Sequence, residues 1–328
     1  MNDIIKFIPP QVVAYLIAFV LAVVSARFII PFLKRLKCGQ TVREDGPEMH
    51  KAKTGTPTMG GSLFLIPLVL VGGWYAFKEP RIIPLLLVTL SFALIGFLDD
   101  YLKVVKKHNK GLTERQKMIG LLLVSGAFTW YAVTYLPAAN SLVIPFIGIK
   151  APVALPLLIA VPFALFVLLS FTNAVNFTDG LDGLAGCVTT VVLLFMTVVT
   201  MFNSDWEYIR TFCAILAGGI LGFLVFNLHP AKVFMGDMGA LALGGALSAI
   251  ALATGTAIFL GIAGIIYVAE ALSVVIQVLY YKKTRKRFFL MAPLHHHYEH
   301  KGWKETKIVT VFTLVTLVGC VVAWLLLK

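Results

Sequence analysis

Carboxylates set the chemistry open to this sequence. Three acidic stretches, Phe97-Leu-Asp-Asp100, Asn173-Ala-Val-Asn-Phe-Thr-Asp-Gly-Leu-Asp-Gly183 and Phe234-Met-Gly-Asp237, each adjoin a long apolar run. Only Lys103 and Lys232 lie close to them in sequence. Unpaired carboxylates against a membrane are costly unless a cation neutralises them. Oxygen ligands suit a hard divalent ion, and such an ion neutralises phosphate charge. The expectation is that the three stretches meet at one membrane face and share a divalent metal and a diphosphate.

The spacing refines the roles. Asp99 and Asp100 are adjacent, so on a helix they point about 100° apart. One can face the site while the other faces solvent or Lys103. Asn176, Asp179 and Asp182 are spaced three apart and share a face if that stretch is helical. Thr178 and Asp179 before Gly180 also suit an N-cap, which accounts for one Asp but not for two Asp and two Asn. Gly236 allows backbone to approach a ligand, and Asp237 offers oxygen to Mg²⁺. Phe234 can stack on a base or simply mark the membrane interface, and Asn227 can bond a base edge. His295, His296 and His297 are consecutive, so they fan out and suit phosphate oxygens better than one shared ion. The Gly/Thr/Pro-rich stretch from His50 to Gly61 offers backbone amides and Lys53 to a phosphate, without the order of a P-loop. Glu270 falls inside an apolar segment and is a functional candidate by its position.

The elements that hold these groups must be membrane helices. The chain of 328 residues is 59% hydrophobic and 13% charged, more apolar than a soluble core requires. Ten continuous apolar segments occur, at about 11–36, 60–77, 82–98, 117–136, 152–170, 184–202, 210–228, 239–256, 258–281 and 307–327. Continuous runs exclude an alternating β-barrel pattern. The expected fold is all-α and polytopic, one transmembrane domain over residues 1–328, with the first segment a membrane helix rather than a signal peptide. Of 28 Lys and Arg, 21 fall in the connections that follow odd-numbered segments, which places those connections in the cytoplasm and both termini outside. All three acidic stretches lie on that side. The net charge of +12 is then mostly a topological signal facing anionic lipid, with some attraction for a polyanionic substrate; it implies no nucleic-acid partner. Cys38, Cys187, Cys213 and Cys320 are far apart and suggest neither a zinc site nor a disulfide framework.

These stretches, with Arg43-Glu-Asp-Gly-Pro47, Gly55-Thr-Pro-Thr-Met-Gly-Gly61 and Met291-Ala-Pro-Leu-His-His-His-Tyr-Glu299, resemble the polyprenyl-phosphate N-acetylhexosamine-1-phosphate transferase superfamily. The triple-His run and GTPTMGG resemble its phospho-N-acetylmuramoyl-pentapeptide-transferase branch. The resemblance runs along nearly the whole chain. It implies transfer of phospho-N-acetylmuramoyl-pentapeptide from a UDP-linked precursor to undecaprenyl phosphate, giving lipid I and UMP. That is the first membrane step of peptidoglycan synthesis, carried out with Mg²⁺ by a homodimer in the bacterial plasma membrane. By match to the family's pattern, Asp99, Asp100, Asp237 and His296 are catalytic and Asp237 ligates the metal. Asn176, Asp179 and His296 line the phosphate site, and His295 and His297 help bind substrate. Lys53, Thr58, Asn173, Asp182, Asn227 and Phe234 hold the nucleotide, and Lys117 a phosphate. Direct in-line attack by the lipid phosphate, with Asp99 as base or orienting group, and a two-step route through an aspartyl intermediate both remain open. Two other functions compete: a sister transferase using UDP-N-acetylglucosamine, which the triple-His run disfavours, and a cation-coupled transporter. A transporter places its acids near the bilayer midplane, whereas here all but Glu270 sit at segment ends.

Overall fold

The computed structural model describes residues 9–36, 55–104 and 111–327. Helices dominate it: α1 Pro10–Arg35, α2 Ser62–Ala76, α3 Ile83–Val104, α4 Glu114–Tyr135, α5 Leu157–Thr178, α6 Leu184–Val199, α7 Glu207–Asn227, α8 Gly236–Thr254, α9 Ala257–Ala263, α10 Ile265–Thr284, α11 Leu294–His300 and α12 Glu305–Leu327. The one sheet among the described residues is a two-stranded antiparallel pair, β1 Ser141–Leu142 with β2 Val153–Ala154. Among the described residues, nine helical stretches are long and apolar enough to cross a membrane, and α2, at 15 residues, is shorter. The protein is a polytopic, all-α membrane protein.

The helix ends segregate to two faces. At one, the backbone just before α2 bonds to the start of α8. At the other, Arg81, in the turn between α2 and α3, bonds the Asp205 carbonyl before α7. That far face holds a cavity of about 810 Å³ lined by Arg81, Leu136, Lys150, Asp205 and Thr254. Short as it is, α2 therefore runs from one face to the other, and the connections alternate between faces as the ten-segment reading expects.

The core is built on α8. Its sequence is dominated by Ala, Gly and Leu, and small side chains let neighbouring membrane helices approach closely. It packs between α3 and α5, while α7 packs against α1, α2 and α6. The spans α7 and α8 are the most buried, whereas most residues of α1, α4 and α10 are not buried within the protein.

Three element boundaries differ from the expectation. The apolar run 152–170 begins later and continues as α5 to Thr178, so Asn173 and Asn176 are helical rather than in a loop. Thr and Asn fit a membrane helix because they bond carbonyls one turn back, and here Thr178 Oγ1 donates to Ala174 O at 2.8 Å. The N-cap expected from Thr178 or Asp179 is absent: α6 is capped by Gly183, without a side-chain bond. The run 258–281 breaks at Gly264 into α9 and α10.

Candidate active site

The C-terminal part of α3, from Gly96 to Asp100, meets the first turn of α8. Gly96 permits this, because a Cβ there would collide with the Asp237 carbonyl. Gly236 adopts φ +76°, and a Cβ on it would stand 2.6 Å from Asp100 Oδ2 and 2.7 Å from Thr58 Oγ1. Asp99 and Asp100 are both buried and point apart, as adjacent helical residues must. Asp100 Oδ2 accepts the Met238 N–H at 3.0 Å. Asp99 Oδ1 accepts the Leu112 N–H at 2.7 Å, and Asp99 Oδ2 pairs with Lys103 Nζ.

Asp237 is the hub. It occupies the first turn of α8, where the helix dipole favours an anion. Its Oδ2 lies 3.0 Å from both Lys103 Nζ and Lys117 Nζ. Its Oδ1 accepts Asn176 Nδ2–H at 2.8 Å, and Asn176 Oδ1 accepts from Lys117 at 3.2 Å. Lys117 is set in place by a capping box, Thr113 with Gln116, that starts α4. Asp179 ends α5 beside this group and is half-buried. Burial, then the charges of Asp237 and Asp100, push its pKa up to about 8, against a hydrogen bond from the Gly236 backbone. Helices α3, α4, α5 and α8 thus bring Asp99, Asp100, Lys117, Asn176, Asp179 and Asp237 to one face, with Lys103 among them.

A second corner lies across the turn from Asp179 to Gly183. Asp182 is buried; its N–H donates to Glu305 Oε1 at 2.5 Å, and its Oδ2 accepts the Ala231 N–H at 3.1 Å. His229 Nδ1 stands 3.1 Å from Asp182 Oδ2 and 3.3 Å from Glu305 Oε2. Asp182, His229 and Glu305 present ligand atoms within 4.8 Å of one another and could hold a metal ion. Asn227 closes the corner: its Oδ1 accepts the Gly183 N–H at 3.0 Å and its Nδ2 donates to Val233 O at 2.9 Å. Its amide, expected to face a base, instead ties two backbone segments together. Three backbone bonds pin the stretch before α2 to this side: Phe234 N–H to Pro57 O at 2.8 Å, Gly60 N–H to Phe234 O at 2.8 Å and Gly61 N–H to Met235 O at 2.9 Å. They bury Thr58, whose Oγ1 has no partner among the described residues.

The remaining expectations land elsewhere. Lys53 lies outside the described residues. Asn173 Nδ2 donates back to Leu169 O at 2.7 Å, on its own helix. The three histidines do fan out: His295 Nδ1 faces Glu270 at 3.1 Å, His296 Nδ1 faces Glu299 at 2.6 Å, and His297 Nδ1 accepts the Leu290 N–H at 3.2 Å. His297 is held among Phe289 and Tyr298, and burial, then Lys301 and His300, lower its pKa. Sequence reasoning missed His229 and Glu305. A lone His and a Glu at a helix start carry no spacing signal; their convergence is purely tertiary.

Residues 82–255 match the family described as Glycosyl transferase family 4. Over 98% of its length the chain is 52% identical to a phospho-N-acetylmuramoyl-pentapeptide-transferase of Acetivibrio thermocellus, covering 96% of that protein. A protein of the same name from Clostridium perfringens is 46% identical over 96% of this chain and 98% of its own length. Another, from Carboxydothermus hydrogenoformans, is 46% identical over 94% and 95%. The chain belongs to the phospho-N-acetylmuramoyl-pentapeptide-transferase family. Within this family member, the Glycosyl transferase family 4 match spans α3 through α8 and so takes in Asp99, Asp100, Lys117, Asn176, Asp179, Asp182 and Asp237. Thr58, Glu270, Glu305 and the triple-His helix fall outside it.

Proposed function

We propose that this protein transfers phospho-N-acetylmuramoyl-pentapeptide from its UDP-linked precursor to undecaprenyl phosphate, releasing UMP and forming lipid I. The observation that carries this reading is the convergence of four aspartates and two lysines from four helices at one membrane face. The nucleotide would lie toward Asp182, Asn227 and Phe234, and the diphosphate toward Asp179, Asn176 and Lys117. The excess of Lys and Arg on that face supports a cytoplasmic site, with both termini outside, in the bacterial plasma membrane.

The carboxylates gathered at this corner, Asp99, Asp100, Asp179 and Asp237, offer oxygen ligands only, a set that fits Mg²⁺ better than a soft metal. Asp237 would hold the ion, with Asp100 and Asp179 beside it; when bound, Mg²⁺ neutralises the diphosphate and improves UMP as a leaving group. Lys117, bridging Asp237 and Asn176, keeps a positive charge where the transferred phosphate must sit. Asp99, fixed by the Leu112 N–H, orients the lipid phosphate and takes its proton if it arrives protonated. An oxygen of the lipid phosphate then bonds to the sugar-linked phosphorus as the bond from that phosphorus to the bridging oxygen breaks. UMP leaves with the bridging oxygen. The homodimer and the single transmembrane domain over residues 1–328 are part of this reading.

The test is UMP release by the purified protein in detergent. The reading expects release that requires both a divalent ion and undecaprenyl phosphate, with UDP-N-acetylmuramoyl-pentapeptide far better than UDP-N-acetylglucosamine. Preference for the latter would favour the sister transferase, and no release with any UDP-sugar would end the reading.

A further inference from the structure

Glu270 sits within α10 and is fully buried, as is His295 on the short helix α11. A carboxylate buried in a membrane helix persists only where partners compensate it. Glu270 has three. Its Oε2 accepts the Leu294 N–H at 2.6 Å, its Oε1 accepts the His295 N–H at 3.2 Å, and Oε1 stands 3.1 Å from His295 Nδ1. One side chain thus fixes both the start of α11 and the ring of its first histidine.

The other ring nitrogen is the informative one. His295 Nε2 is buried and has no partner among the described residues. The ring is pressed on Gly180, where a Cβ would collide with Nε2. Gly180 follows Asp179 directly and lies in the turn that joins the two acidic corners. A buried polar atom without a partner is uncommon and calls for an explanation.

We propose that Glu270 is a positioning residue: it holds His295 with Nδ1 engaged and Nε2 against the Asp179–Asp182 turn, bracing that turn for the diphosphate. This role rests on the transferase reading above. The Nδ1 contact prevents the ring from flipping, so the nitrogen left for the turn or for an incoming phosphate oxygen is always Nε2. That atom gains its partner only when the phosphate site fills, so the brace acts on turnover more than on nucleotide affinity.

The test is a double-mutant cycle on UMP release, with thermal unfolding in detergent measured alongside. Glu270→Gln is expected to lower kcat by roughly 10–100-fold, the range for residues that orient a functional group, with KM for the UDP-sugar within about threefold. Glu270→Asp keeps the charge and is expected to recover part of that loss. Adding Glu270→Gln to His295→Gln is expected to cost little more than His295→Gln alone. A merely structural role predicts losses that multiply, a lower unfolding temperature and no rescue by Asp; that pattern, or a Glu270→Gln kcat within about twofold of wild type, overturns the proposal. Should Glu270→Gln fail to fold, Glu270→Asp with His295→Gln completes the same cycle. Wild-type protein that released no UMP would overturn the transferase reading itself, and this role with it.

Discussion

Two acidic corners share one short turn, and they are held together differently. On the Asp179 side, Asp237 is bound by the ends of long side chains, Lys103, Lys117 and Asn176. On the Asp182 side, the carboxylate takes the Ala231 backbone N–H beside the His229 ring, and Asn227 is tied to Gly183 and Val233 backbone. Side-chain cations can move aside for a metal or a phosphate; backbone bonds cannot be given up without unfolding the loop. On the proposed reading, this lets the first corner exchange partners during a reaction and the second keep one shape for a nucleotide.

The largest effect that would break this contrast is at Asp237. Asp237→Asn removes the charge that two lysines and a divalent ion would share, and UMP release should fall about 10³-fold while the protein stays folded. Turnover within tenfold of wild type would remove Asp237 from the centre of the site. Next is Lys117→Gln, which keeps hydrogen bonding to Asn176 but loses the charge; kcat should drop roughly 10–100-fold. In the second corner, Glu305→Gln should leave kcat within about threefold and raise KM for the nucleotide sugar several-fold, since one hydrogen bond contributes about 1 kcal/mol. A larger loss in kcat than in KM there would erase the distinction between the corners.

The smallest effect is a pH dependence. Asp179 keeps its proton up to about pH 8 in the folded protein, because of burial and the nearby Asp237 and Asp100 charges. In the unfolded chain it loses that proton near pH 3.9. From about pH 4 to 8 the folded state therefore binds the extra proton, so this group lowers stability as pH rises through that window and adds no slope above it. Thermal unfolding should show a shallower decline between pH 5 and 8 for Asp179→Asn than for wild type; identical slopes would contradict the raised pKa.

Much of this was legible in the sequence. Apolar runs of membrane length fixed the all-α architecture, since a helix satisfies its own backbone in lipid. Helix ends alternate between faces, so the acidic stretches had to lie on one side, and the structure brings Asp99, Asp100, Asp179 and Asp237 together there. The right-angled divergence of Asp99 and Asp100 and the fanning of the three histidines followed from helical geometry alone. What sequence could not give was tertiary pairing. Nothing in the spacing joined His229 to Glu305, turned the Asn227 amide onto backbone, or set Glu270 against His295. Most of those partners are separated by whole helices or parts of them, and only the packing of the helices decides which side chains meet.

The measurement that tests the account most directly is where a divalent ion binds. Mn²⁺ bound to the protein with UDP-sugar present can be counted by its electron paramagnetic resonance signal in wild type, Asp237→Asn and Asp182→Asn. The account predicts a site that is lost in Asp237→Asn and kept in Asp182→Asn. Loss in Asp182→Asn with retention in Asp237→Asn would place the ion between Asp182, His229 and Glu305 and contradict it.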